Sequence, residues 1–157
     1  MKRILIILVL FLTACRSSQE LAYYQFVSDL EEVNRSSEAI PFDVAISVNK
    51  LTDMEFQYNV IIDQPNHDIK DMSVLVVHNA ETDSIFPSIG IVDKKVDLVT
   101  SNVDVNNNLV KGIALVGYLP IDTDPDITFK VRVEYNDKQN KKNTVYYVHE
   151  MTISNNL

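Results

Sequence analysis

From residue 42 to residue 153 the chain repeats one signal. Short runs of alternating apolar and polar residues are separated by turn residues, and no stretch of helical period lies between them. A period of two places successive side chains on opposite faces of an extended strand. Consecutive strands without intervening helices cannot make parallel crossovers, so the pattern confines this region to an antiparallel all-β fold. The clearest run sets Ile127, Phe129, Val131, Val133 and Tyr135 against Thr128, Lys130, Arg132, Glu134 and Asn136. Earlier, Phe42, Val44, Ile46 and Val48 alternate with Asp43, Ala45, Ser47 and Asn49, and Met54, Phe56, Tyr58, Val60 and Ile62 follow the turn Leu51-Thr52-Asp53. Two such runs across a short turn predict an antiparallel hairpin.

The remaining segments are less regular. Residues 72–77 are apolar except for Ser73, which predicts a central strand covered on both faces. Residues 85–91 are apolar without alternation and contain Pro87, which cannot donate to a ladder, so they read as an irregular crossing or edge segment followed by a weaker strand over 96–100. Residues 101–108 form a polar loop, and 109–119 a strand in which Gly112 and Gly117 predict a bulge, a bend or a close backbone approach. Asp122 to Asp126 is a turn, 137–142 a basic hairpin loop, 144–153 the last strand, and 154–157 a frayed tail. Seven to eight short strands at this spacing resemble an antiparallel immunoglobulin-like or fibronectin-type-III-like β-sandwich over residues 40–153, with a small β-barrel as the alternative. The resemblance is architectural: the chain has one cysteine and no tryptophan, so the Cys…Trp…Cys pattern of true immunoglobulin domains is absent.

The amino terminus carries a different signal. Lys2 and Arg3 precede nine apolar residues, 4–12, and then the small residues Ala14 and Cys15. As a helix that run rises roughly 14 Å, about half of a ~30 Å hydrocarbon core, too short for a resident span. The sequence Leu12-Thr13-Ala14-Cys15 resembles the lipobox of bacterial lipoprotein signal peptides at all four positions. The resemblance implies cleavage between Ala14 and Cys15, a diacylglyceryl group on the Cys15 sulfur, and a protein held in the cell membrane on its extracytoplasmic side. Two or three acyl chains, at ~0.8 kcal/mol per buried methylene, suffice for stable anchoring. The expected organisation is a signal peptide over 1–14, a lipid anchor and tether over 15–39, and the sandwich over 40–153. Within the tether, Tyr23, Phe26 with Val27, Leu30 and Val33 share one helical face and predict a short amphipathic helix, followed by a polar linker over 34–38.

The formal charge is −8, and removal of residues 1–14 takes away Lys2 and Arg3 but no acid, giving −10. An acidic chain lacks the positive footprint that nucleic-acid binding requires. With Cys15 lipidated there is no thiol left for a disulfide or a metal, so the core alone must hold the domain.

Catalytic signals are sparse. Gly-x-Ser-x-Gly, Ser-x-x-Lys, His-Glu-x-x-His and Gly-rich phosphate motifs are all missing, and acid pairs such as Asp68 with Asp71 have no visible pocket, so no enzyme is expected. Asp122, Asp124 and Asp126 resemble the opening of a calcium loop, but Ile127 and Val133 stand where that loop needs Gly and Glu, leaving a weak calcium candidate beside the plain reading of an Asp-rich turn. His67, His78 and His149 are too far apart in sequence to form a local zinc motif. No cofactor is expected beyond the lipid on Cys15. Phe86, Ile89 and Ile91 form a candidate apolar patch for a partner, and Lys138, Lys141 and Lys142 a candidate basic one. The function expected is a non-enzymatic binding module of the cell envelope, meeting membrane lipid through Cys15 and another envelope protein through its domain. A small ligand- or calcium-binding accessory is the alternative, with a hydrolase behind it.

Overall fold

The computed structural model describes residues 18–81 and 88–153. It opens with helix α1 (Ser18–Glu31) and continues through β1 (Asp43–Lys50), β2 (Glu55–Asp63), β3 (Ile69–His78), β4 (Ser88–Leu98), β5 (Leu109–Val110), β6 (Gly112–Pro120), β7 (Asp126–Asn136) and β8 (Lys142–Thr152). The strands form an all-β sandwich of two sheets, β1-β2-β6 and β5-β4-β3-β7-β8. Both sheets end in edges rather than closing on each other, which removes the barrel alternative. The chain leaves the first sheet after β2, returns for β6 and leaves again for β7, the cross-sheet connectivity of an immunoglobulin-like sandwich. All strand pairs are antiparallel except β4 with the two-residue β5.

Period-two patterning sets the core. Phe56, Tyr58, Val60 and Ile62 from β2 and Ile127, Phe129, Val131 and Val133 from β7 are buried facing each other across the sandwich. Met54 belongs to the same alternation but is 76 % exposed, because it sits in the turn before β2 begins. Tyr58 lies 5.0 Å from the Phe129 ring and 5.5 Å from His78, centroid to centroid, so an aromatic cluster occupies the end of the core at β3. Burial raises the Tyr58 phenol to about 12 and lowers the His78 imidazole.

Strand β3 is covered on both faces, as its apolar run predicts. Val74 and Val76 enter the main core, while Leu75 and Val77 point the other way and bury Leu30 of α1. The amino-terminal helix is therefore packed on the domain rather than loose. Tyr23 hydrogen-bonds Ser88 on β4, Arg132 on β7 lies 4.2 Å above the Phe26 ring, and the Lys130 ammonium caps the Glu31 carbonyl. Beyond the helix, the 34–38 linker docks on the free edge of β8. The Ser37 amide donates to Tyr146 O at 2.8 Å, and the Tyr146 and Val148 amides donate to the hydroxyls of Ser37 and Ser36, each at 2.9 Å. Two serines thus stand in for a neighbouring strand.

Two segments depart from the sequence expectation. Residues 88–98 form one strand rather than an irregular segment and a weaker strand. Their ladder with β3 breaks between Val74↔Ile91 and Met72↔Val96, and the exposed residues 92–95 bulge out there, which hides the alternation. Residues 109–119 divide at Lys111 between β5 in one sheet and β6 in the other. At Gly117 the reason for glycine is space: a Cβ there would overlap the Tyr58 ring. The β2–β6 register runs unbroken, so of the three possibilities for this glycine it is close approach that holds.

Candidate functional site: an uncharged sheet face and the cleft at its end

The outer face of the three-stranded sheet is assembled by register. Asn49, Gln57 and Tyr118 form one row across β1, β2 and β6, Ser47, Asn59 and Val116 the next, and Ala45, Ile61 and Ala114 the third. None of the nine is charged, in a chain with 23 % charged residues. Acids appear only beyond the rows, at Glu55 on one side and at Asp43 and Asp63 on the other. Tyr118, Val116 and Ile61 are 56 %, 46 % and 39 % exposed. Scattered exposed apolar residues need no explanation, but here they neighbour one another and are set among amides and small side chains.

At the end of this face, where β2 finishes and β6 begins, lies a cleft of about 730 Å³. It is lined by Ile61, Asp63, Gln64, Pro65, Val99, Thr100, Lys111, Gly112, Ile113 and Ala114. Its rim is pinned. Asp68 accepts hydrogen bonds from both the amide and the hydroxyl of Thr100, each at 2.9 Å, which holds the Asp68 carboxyl below its ordinary value, and the Val99 amide donates to Val110 O at 2.8 Å. One carboxylate, one ammonium and one hydroxyl line the cleft, with no histidine or cysteine among them. The volume falls within the range of small-molecule sites, and the lining offers orientation and apolar contact rather than a nucleophile paired with a base.

The candidates chosen from sequence are distributed elsewhere. Ala14, Cys15 and Phe86 lie outside the described residues. Ile89 and Ile91 are partly buried against the main core on the inner side of β4. Asp124 accepts from the Asp126 amide at 2.9 Å within the turn, and Asp126 accepts from the Thr152 hydroxyl at 2.7 Å, which ties the start of β7 to β8. Among the described residues, no group of three or more His, Cys, Asp or Glu side chains is placed to hold a metal ion. His67 contacts Asn66, His78 packs edge-on against both Tyr58 and Phe129, and His149 stacks on Tyr147. Asp71 accepts from Asn136 at 2.8 Å, while Asp68 is taken up by Thr100. In the basic hairpin loop, Asp137 accepts the Gln139 and Lys141 amides at 2.9 Å each, and Lys142 reaches Glu134 at 3.1 Å. The uncharged face escaped sequence reasoning because its rows join residues as distant as Gln57 and Tyr118. The one visible trace was the run 112–120, which lacks any charge.

Compared with known proteins, the chain matches no family model, no curated protein and no solved structure.

Proposed function

We propose that the chain is a lipid-anchored extracytoplasmic lipoprotein of the cell envelope whose sandwich is a non-enzymatic binding module, and that the outer face of β1-β2-β6 is its contact surface. The observation that carries the binding reading is the three-row uncharged face on an otherwise acidic molecule. Anchoring is supported by Leu12-Thr13-Ala14-Cys15 after a short apolar run. Only Arg16 and Ser17 separate Cys15 from the first residue of α1, so at most roughly 11 Å of chain joins the lipidated residue to a helix packed on the domain. The module works close to the bilayer, and a partner must share that layer.

The test places a photo-crosslinking amino acid at Gln57 in the full chain in its membrane. A reproducible protein adduct that disappears in the Asn59→Lys variant supports the face as the contact surface. An adduct unaffected by Asn59→Lys, or none, removes it. Separately, Cys15→Ser leaves unprocessed precursor without lipid label, and continued incorporation of labelled lipid refutes the anchor.

A further inference from the structure

We infer that the free edge of β6 pairs with the β6 edge of a second copy of this chain, joining two three-stranded sheets into one of six strands. Among the described residues, β6 is hydrogen-bonded to β2 on one side and to no strand on the other. Its nine residues, Gly112–Pro120, carry no charge, keep an unbroken register and meet a proline only at the last position. An exposed strand edge is a template for another strand, and folded proteins ordinarily blunt it with charge, bulges or cover. The other sheet shows those devices: β4 bulges with Lys94 and Lys95 exposed, and β8 is covered by Ser36 and Ser37. Among the described residues the β6 edge carries neither charge nor bulge, and it approaches β4 of the other sheet without pairing with it.

The occupant follows from the sequence of the edge and from charge. Two copies with formal charge −8 repel wherever their acids meet, so a self-contact needs an uncharged seam, and β6 supplies one. An antiparallel two-fold centred on Val116 pairs Val116 with itself, Ala114 with Tyr118, Leu115 with Gly117, Ile113 with Leu119, and Gly112 with Pro120. On the exposed side the large Tyr118 thus meets the small Ala114, and each of the four off-centre pairs is apolar or aromatic. The same register sets the second copy's Tyr118, an exposed knob, beside Ala114 and Ile61 in the lining of the cleft. Both copies gain the same contact, as an isologous interface requires. The inference stands apart from the lipid anchor and from the partner of the sheet face.

Register-specific disulfide trapping tests it in the full chain, with the unsubstituted protein as the control for Cys15. Opposed residues of an antiparallel pair have Cα atoms about 4.5–5.5 Å apart, within disulfide range. Val116→Cys should therefore convert the majority of the chain to a disulfide-linked homodimer under mild oxidation. Ala114→Cys and Tyr118→Cys should each remain monomeric alone, since like positions lie four residues or roughly 13 Å out of register, and should link when the two variants are coexpressed. Val103→Cys, exposed but off the edge, should not link. The inference is overturned if Val116→Cys stays monomeric while its melting temperature matches the unsubstituted chain, if it links to a different protein, or if Ala114→Cys links alone. The coexpressed pair decides the matter independently should Val116→Cys fold poorly.

Discussion

Replacing Gly117 with alanine isolates one packing relation in the core. The new Cβ overlaps Cζ and Oη of Tyr58 and stands 2.6 Å from Cε1, where carbon atoms in contact sit at about 3.5–4.0 Å. Relief requires about 1 Å of movement, but the Tyr58 ring is backed by Phe129 at 5.0 Å and His78 at 5.5 Å, and Tyr58 is only 1 % exposed. Overpacking of this kind costs about 1–3 kcal/mol, partly offset by the ~0.4–1 kcal/mol that Gly→Ala gains from a less free unfolded chain. The net expectation is a loss of about 1–2 kcal/mol, read as a lower urea midpoint at unchanged m. A double-mutant cycle supplies the control. In the background Tyr58→Leu, which removes the ring, Gly117→Ala should be neutral or slightly stabilising, giving a coupling of about 1–3 kcal/mol. If Gly117→Ala costs the same in both backgrounds, the ring does not occupy the space above Gly117 and the account of this glycine fails.

Three further outcomes follow from the packing. Leu30→Ala should destabilise by about 2–5 kcal/mol if α1 unfolds with the sandwich, and should speed amide exchange at Tyr146 and Val148; unchanged exchange would show that the helix and the β8 edge are uncoupled. Ser36→Ala with Ser37→Ala should cost about 1 kcal/mol per lost hydrogen bond and uncover the Tyr146 and Val148 amides of the β8 edge, with self-association by light scattering as a second readout. Burial lowers the His78 pKa, so the unfolded chain takes up the proton first. Stability is then full above the unfolded value of about 6.5 and declines as pH falls from there towards the folded value, whereas Asp68 and Asp137, lowered by hydrogen bonds, weaken the fold only below about 3.9. Urea midpoints between pH 7.5 and 5 should fall more steeply for the unsubstituted chain than for His78→Gln, and parallel profiles would contradict this.

Strand existence was legible in the sequence wherever a strand has one buried face, because alternation is then forced, as in Ile127 to Asn136. It was also legible for β3, where a continuous apolar run requires cover on both sides. The identity of that cover was not: Leu75 and Val77 give no sign that their partner is Leu30, some 45 residues earlier. Strand β4 was obscured because residues 92–95 leave the ladder, and a bulge adds residues that fit neither face. Sheet membership was hidden for a related reason. Nothing in the residues 109–119 announces that the chain changes sheet at Lys111, since both halves are apolar. Turn chemistry carried more than glycine did: the left-handed positions fall on Gln64, Asp71, Asn102, Asn108 and Asn140, while all three glycines lie in strands.

The placement of α1 bears on where a partner can bind. The helix and the 34–38 linker cover the outer face and the β8 edge of the five-stranded sheet, and they do so with groups that are already paired: Leu30 with Leu75 and Val77, Phe26 with Arg132, Ser36 and Ser37 with the β8 amides. A protein docking on that side would have to displace these contacts. The opposite sheet exposes Ile61, Val116 and Tyr118 on its uncharged face, and no described helix packs over them. A small ligand confined to the cleft would engage only one end of that face, and substitution at Asn59, which does not line the cleft, would leave its binding unchanged. Asn59→Lys therefore separates the two readings: loss of the partner assigns recognition to the sheet face, and retained binding of a small molecule assigns it to the cleft.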